Sequence, residues 1–247
     1  MNLRVLTYNI HKGFSFNNRQ FVLHEIREGL RSTDVDLVFI QEIHGEQLRH
    51  QGRIGQWPVE TQFEFLADSV WPHYAYGKNA IYNHGHHGNA ILSKYPIKQS
   101  RNIILSRLKR ASRGLLHGII ELPGYKKDLH VICVHLELFR FEQRRQLEVI
   151  RQHILEFIDD NEPLVVAGDF NDWRGRSARF LGRELGLVEA HHQRYGAHAF
   201  TYPAFWPVLK VDRIYFRGIE LSDAGCLTGI PWDTLSDHSP LYAEFRI

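Results

Sequence analysis

Apolar residues recur along the chain with two periods. Continuous or alternating apolar runs rich in β-branched and aromatic residues predict strands over residues 3–10, 34–42, 115–122, 129–136, 163–168, 209–216 and 241–247, with a short strand within 74–82. Apolar residues spaced along one helical face predict helices over 21–30, 63–67, 142–157 and 178–181. Between these, residues 44–68 read as a polar, peripheral connection with Gln56-Trp57-Pro58 as a breaker, and residues 83–88, Asn-His-Gly-His-His-Gly, read as a turn-rich loop. Strands alternating with amphipathic helices point to the α/β class.

The polar residues that interrupt this pattern fall at strand ends. The run from Pro163 to Ala167 stops at Gly168 and then presents Asp169, Asn171 and Asp172, so a buried strand delivers two carboxylates and an amide to the loop that follows it. An ordinary Asp/Asn turn has the same composition, because Gly, Asn and Asp favour turns for conformational reasons. Other strands carry matching groups. Asn9 ends the first and Glu42 the second, His135 stands near the end of 129–136, Asp212 falls within 209–216, and Asp237-His238 precede the last. A carboxylate ending an apolar strand has a large desolvation cost unless a cation or donors offset it, which favours a metal-ligand role for Glu42 over a helix cap. For the same reason Asp212 needs a partner such as a histidine. Taken alone, His135 is more simply a hydrogen-bonded core histidine. Together, acids, amides and histidines without a nucleophilic Ser or Cys motif make up the set that metal-assisted phosphoryl hydrolysis requires.

Length and composition restrict the remaining choices. A chain of 247 residues without a Pro/Gly/Ser-rich linker is expected to form one domain, residues 1–247. The 30 Lys+Arg against 28 Asp+Glu give a net charge of +2, too near neutral for a general polyanion binder but compatible with local basic clusters. The densest, residues 107–113, reads as a solvated hairpin edge, except that Arg113 precedes a strand and is retained as a phosphate contact. Clusters at 101–113, 140–145 and 174–183, with Phe139, Phe141 and Trp173, are read as a lip where aromatic groups meet an apolar or base moiety of the substrate. Cys133 and Cys226 support neither a disulfide framework nor a Cys-based zinc site, so a reducing compartment fits best. The histidines of 83–88 lack another nearby ligand, and no zinc site is assigned to them. No stretch approaches membrane-spanning length, and a cytoplasmic monomer is expected.

The order of these pieces resembles the endonuclease/exonuclease/phosphatase superfamily, metal-dependent phosphodiesterases that include DNase I, abasic-site endonucleases, neutral sphingomyelinases, inositol polyphosphate phosphatases and deadenylases. The resemblance runs through Thr7-Tyr8-Asn9-Ile10, Gln41-Glu42, Gly88 to Ser93, Val134-His135-Leu136, Gly168-Asp169-Phe170-Asn171, Val211 to Ile214 and Ser236-Asp237-His238. It implies a four-layer αββα sandwich, two mixed β-sheets face to face with helices outside and the site at one end. It also implies that Glu42, helped by Asn9, holds Mg²⁺ or Mn²⁺, with Asp237 on the metal side. Asp169 would then orient and deprotonate the attacking water, and Asn171 would position that water or a phosphate oxygen. His135 and His238 would donate to the phosphate, His238 being held by Asp212. The chain is near the minimal size for the fold, without a long insertion for gripping DNA. Asp212-Arg213-Ile214 resembles the inositol-phosphatase branch as much as the nucleases. Nucleic acid, a phospholipid head group and a small phosphoester all remain as substrates, with a phosphomonoesterase or a silent binding module as alternatives.

Overall fold

The computed structural model of the chain describes residues 1–17, 19–106 and 113–247. Among these, twelve strands form two six-stranded mixed sheets. One contains β1 (Asn2–Asn9), β2 (Leu37–Gln47), β3 (His73–Tyr82), β4 (Gly85–Ser93), β11 (Glu220–Cys226) and β12 (Leu241–Arg246), in the order β11-β12-β1-β2-β4-β3. The other contains β5 (Ile97–Ile104), β6 (Gly114–Ile120), β7 (Leu129–His135), β8 (Leu164–Asp169), β9 (Val188–Glu189) and β10 (Asp212–Arg217), in the order β5-β6-β7-β8-β10-β9. Each has one central parallel pair, β1 with β2 and β7 with β8, and antiparallel neighbours elsewhere.

Strand alternation divides the apolar side chains between an inner and an outer core. Val5, Phe39, Ile91, Val131, Val165 and Phe245 point inward and fill the space between the sheets. On the outer face of the first sheet, Leu6, Val38 and Leu92 pack under α1 (Leu23–Ser32) and α2 (Gln62–Ala67), with Trp232 of α6 (Trp232–Leu235) beside them. Ile132, Val134, Val166 and Tyr215 pack under α3 (Arg140–Phe157) and α4 (Arg176–Leu185) on the second. Helix α1 buries Leu23, Ile26 and Leu30, one face at helical spacing, and α2 opens with a capping box between Thr61 and Glu64. The result is the four-layer sandwich with helices outside.

Several expectations are corrected. Strand β2 does not end at Glu42 but continues to Gln47, its pairing with β4 shifting between Ile40 and Ile43, so Gln41 and Glu42 occupy a bulge in which Glu42 has φ 56°. Residues 85–88 belong to β4, paired with β2 and β3, and are not a solvated loop. Neither β9, α5 (Ala190–Tyr195), β11 nor α6 was anticipated: β9 has two residues, α5 and α6 have six and four, and β11 is largely polar. Residues 107–112 of the basic run lie outside the described residues.

Three buried histidines under α3 form a chain. His130 Nε2 lies 3.1 Å from Glu162, His130 Nδ1 lies 2.9 Å from His117 Nε2, and His117 Nδ1 lies 3.0 Å from His153 Nε2. Neutral rings satisfy every link with one proton each. Burial pushes His117 down to about 3 and His153 to about 4. Unfolded imidazoles take up protons below their ordinary value of about 6.5 while the folded ones do not, so this stability is complete above 6.5 and is lost as pH falls toward the folded values. The melting temperature should therefore drop between pH 6.5 and 5, and His117→Asn should make that drop smaller by about 2–4 °C.

Candidate active site

Strand register gathers the interrupting polar residues at one end of the sandwich. His135 of β7 and Asp212 of β10 both stand opposite Asp169 of β8, while Asn9 of β1 stands opposite Gln41 of β2. The Ser236 hydroxyl donates to the Asn9 carbonyl at 2.7 Å and ties the segment carrying Asp237 and His238 to the same end. Gly168 permits this convergence. Its φ is +145°, and a Cβ there would meet the Val134 carbonyl oxygen at 2.0 Å, so a larger residue would push β7 from β8.

Asp169 is the centre of the arrangement. Its Oδ2 accepts from Asn9 Nδ2 at 3.2 Å and lies 3.3 Å from His135 Nε2 and 3.9 Å from His238 Nε2, while its Oδ1 accepts the Asn171 amide at 2.9 Å. Burial alone would raise this carboxyl, but the His135 hydrogen bond and the charge on His238 outweigh it and hold Asp169 down to about 2.

The two imidazoles are held differently. His238 Nδ1 lies 2.9 Å from Asp212 Oδ2, both residues being buried. Burial opposes charge on the ring, yet Asp212, Asp169 and Asp237 together raise His238 to about 10. Burial also pushes the Asp212 carboxyl up, and the proton the pair holds sits on the imidazole, where three carboxylates attract it. His135 Nδ1 faces Arg113 Nη1 at 3.3 Å. A guanidinium can only donate, so Nδ1 accepts and the ring proton lies on Nε2, directed at Asp169.

Glu42 and Asp237 are linked through one strained turn. His11 and Lys12 follow Asn9 with φ of 45° and 60°, rare for residues other than glycine. Lys12 Nζ sits 2.8 Å from Glu42 Oε2, and His11 Nδ1 lies 3.8 Å from Asp237 Oδ1. Burial would raise Glu42, but the Lys12 ammonium, with Arg113 behind it, holds it below the usual carboxylate range. Asn171, at φ 49°, donates from Nδ2 to the Leu136 carbonyl at 2.9 Å, and Gln143 of α3 donates to its carbonyl at 2.8 Å. Asp172 is turned away, accepting from the Ser177 amide and hydroxyl at the start of α4. Trp173 is half exposed in a cleft of about 230 Å³ that Asn171, Leu138 and Arg140 also line.

Lys12, His11 and Gln143 were not foreseen as parts of this site. A basic pair, His11-Lys12, one residue beyond the strand-ending Asn9 was the available signal, but its carboxylate partners are distant in sequence. Of the three histidines of 83–88, His84 lies in the turn between β3 and β4 as expected, whereas His86 and His87 belong to β4. His86 pairs with the Tyr76 hydroxyl at 2.9 Å, and His87 packs edge-on against His44 and beside Tyr82, where burial pushes His44 down to about 3 and His87 to about 4. Among the described residues, Asp169, Asp212 and His238 form the one compact group of three side chains with metal-binding atoms.

Three comparisons bear on this arrangement. The chain is 42% identical over 244 residues to the uncharacterized protein YbhP of Escherichia coli (strain K12), covering 99% of this chain and 96% of that one. Its fold is similar to that of an endonuclease/exonuclease/phosphatase from Beutenbergia cavernae, with a TM-score of 0.83 at 19% identity over 100% of this chain and 72% of that one. It is also similar to the mannosyl-6-phosphatase Bt3783 of Bacteroides thetaiotaomicron, with a TM-score of 0.74 at 17% identity over 99% and 100% of the two chains. At such identities the structural likeness speaks for the fold alone. The sequence itself matches the Endonuclease/Exonuclease/phosphatase family over residues 6–238, and the chain therefore belongs to that family, whose members are generally phosphoester hydrolases.

Proposed function

We propose that this chain hydrolyses a phosphoester, a phosphodiester foremost, with Mg²⁺ or Mn²⁺ as cofactor. The observation that carries the reading is the Asp169 carboxylate shared between His135 and the Asp212-supported His238. A carboxylate that stays charged at neutral pH is suited to orient a water molecule and to accept its proton as the oxygen–phosphorus bond forms. The charged His238 and the Nε2–H of His135 would donate to the phosphoryl oxygens as negative charge gathers there. Asn171, fixed on both sides by backbone and Gln143, would hold the water or a phosphate oxygen.

The residues on the other side suit a hard divalent cation. Glu42 and Asp237 are carboxylates joined by one short turn, Asn9 adds an amide, and the Lys12 ammonium stands where Glu42 draws positive charge. Asp169, Asp212 and His238 suit it less, because the ring nitrogen nearest Asp212 is already engaged. Glu42, Asn9 and Asp237 would therefore hold the cation, and it would supply positive charge to the phosphoryl group and the leaving oxygen. Glu42→Gln should raise the Mg²⁺ concentration for half-maximal hydrolysis about tenfold or more, with a similar melting temperature in EDTA. An unchanged metal titration would remove Glu42 from the metal set.

A phosphomonoesterase is the second reading. Lys12 and Arg113 favour it, since each adds a positive charge beside the site that a doubly charged phosphate would use. In either case the near-neutral net charge of +2 argues for a short substrate held mainly at the metal, with Arg113 and Trp173 as further contacts. Hydrolysis of such a substrate below saturation should fall only a few-fold between about 50 and 200 mM salt, against roughly a thousandfold for a binder of six or more phosphates. A steep loss on DNA, with no turnover of lipid or small esters, would instead make the protein a nuclease.

A further inference from the structure

Beside the site, α3 and α4 enclose a cleft of about 370 Å³. Its wall is mainly apolar, formed by Leu136, Leu147, Phe170 and Phe180, with the Asp172 carboxylate engaged by Ser177, and its rim carries Arg140, Arg144, Arg176, Arg179 and Arg183. Arg140 and Arg144 are four apart on α3, and Arg176, Arg179 and Arg183 lie three and four apart on α4, so each helix turns one basic row toward the same opening. Arg183 pairs with Glu184, and the nearby Glu142 pairs with Arg145. Among the described residues, no carboxylate lies within ion-pair distance of Arg140, Arg144, Arg176 or Arg179. Arg179 Nη1 also donates to the Arg174 carbonyl at 3.3 Å, and four guanidiniums without an ion-pair partner around a mainly apolar wall call for anionic groups attached to an apolar body.

The first turn of α3 and the two residues before it add apolar surface at the same place. Leu138, Phe139 and Phe141 are 53%, 75% and 77% exposed, and Arg140 stands between the two phenylalanines. Leu138 and Arg140 also line the smaller cleft that contains Asn171 and Trp173, so the apolar tip, the arginines and the candidate active site are contiguous. Large aromatic side chains surrounded by arginines match the interface of an acidic bilayer, where the rings enter the head-group region and the guanidiniums meet lipid phosphates. A nucleic-acid strand would use the charge and would stack bases on the phenylalanines, but it would leave the aliphatic wall of Leu136 and Leu147 without a partner.

We infer that this face docks the protein on an anionic lipid surface. The interaction is separate from the hydrolytic reading, because it is measured without turnover. The test is flotation of the full chain with phosphatidylglycerol–phosphatidylcholine vesicles, with phosphatidylcholine vesicles, and with the anionic vesicles plus a single-stranded oligonucleotide competitor. Binding should require phosphatidylglycerol and weaken with salt. Phe139→Ser/Phe141→Ser should lower the partition coefficient about tenfold or more. Arg144→Gln/Arg179→Gln should lower it about twentyfold, and Arg144→Lys/Arg179→Lys should restore most of it. Each variant should keep the wild-type circular dichroism spectrum and melting temperature. Three outcomes would overturn the inference: no flotation on anionic vesicles, equal flotation of wild type and both loss variants, or displacement by the oligonucleotide at concentrations that bind it tightly, which would assign the face to nucleic acid.

Discussion

Asp212→Asn and His238→Asn are each expected to lower kcat by about 10³–10⁴-fold, and the double variant should be little worse than the poorer single. The two side chains form one device, a buried carboxylate 2.9 Å from an imidazole that it orients and charges. Without Asp212 the ring loses both its fixed orientation and the nearest negative charge that keeps it protonated. Without His238 the carboxylate has nothing at the site to act through. Two defects that multiply in the double variant would contradict the pairing. The pH profile gives an independent check. His238 is raised from about 6.5 to about 10, so the charged donor is present at neutral pH and is lost as pH rises through the higher value. Its contribution to folding follows the same sign, complete below about 6.5 and gone above about 10. The alkaline limb of kcat/KM should accordingly lie near 10 in the wild type and shift downward in Asp212→Asn.

Asp169→Asn should lower kcat by about 10²–10⁴-fold while retaining the wild-type circular dichroism spectrum. An amide of nearly the same shape removes the proton acceptor and sets an NH₂ group or a weaker oxygen against the Nε2–H of His135. It also removes one of the three carboxylates that charge His238, so the alkaline limb should shift here too. The acid side is less informative. Asp169 titrates at about 2, below its ordinary value of 3.8, and its contribution to stability persists until pH falls toward the lower value. Loss of activity at pH 4–5 would therefore come from other groups. Turnover within tenfold of wild type would show that Asp169 is not the group that handles the water.

Residues that break an apolar pattern were the most legible. Asp212 in an apolar strand required a partner, and the structure supplies His238. Asp169 after the run ending at Gly168 lies where that run pointed, because register with β7 and β10 fixes what a buried strand presents at its end. The bulge at Glu42 was less legible, since an extra residue in a strand leaves the same mixture of apolar and polar letters as a strand end. The histidines of 83–88 read as a loop because Gly, Asn and His are poor strand formers. Their strand is set by tertiary neighbours, among them His44 and Tyr76, which local composition does not encode. The link from Lys12 to Glu42 spans 30 residues and comes from the parallel pairing of β1 and β2. No periodicity records such a contact.

Hydrolysis by the EDTA-stripped full chain, followed with and without added Mg²⁺ or Mn²⁺ beside Asp169→Ala, tests the central claim most directly. The panel should hold a nucleic-acid diester, a phospholipid, a phosphoinositide and a small phosphoester. The account predicts turnover of at least one of these by the wild type only when the cation is present, with Asp169→Ala reduced by at least about a hundredfold on the same substrate. Equal turnover in EDTA, equal turnover by Asp169→Ala, or no turnover of any phosphoester with either cation would contradict it.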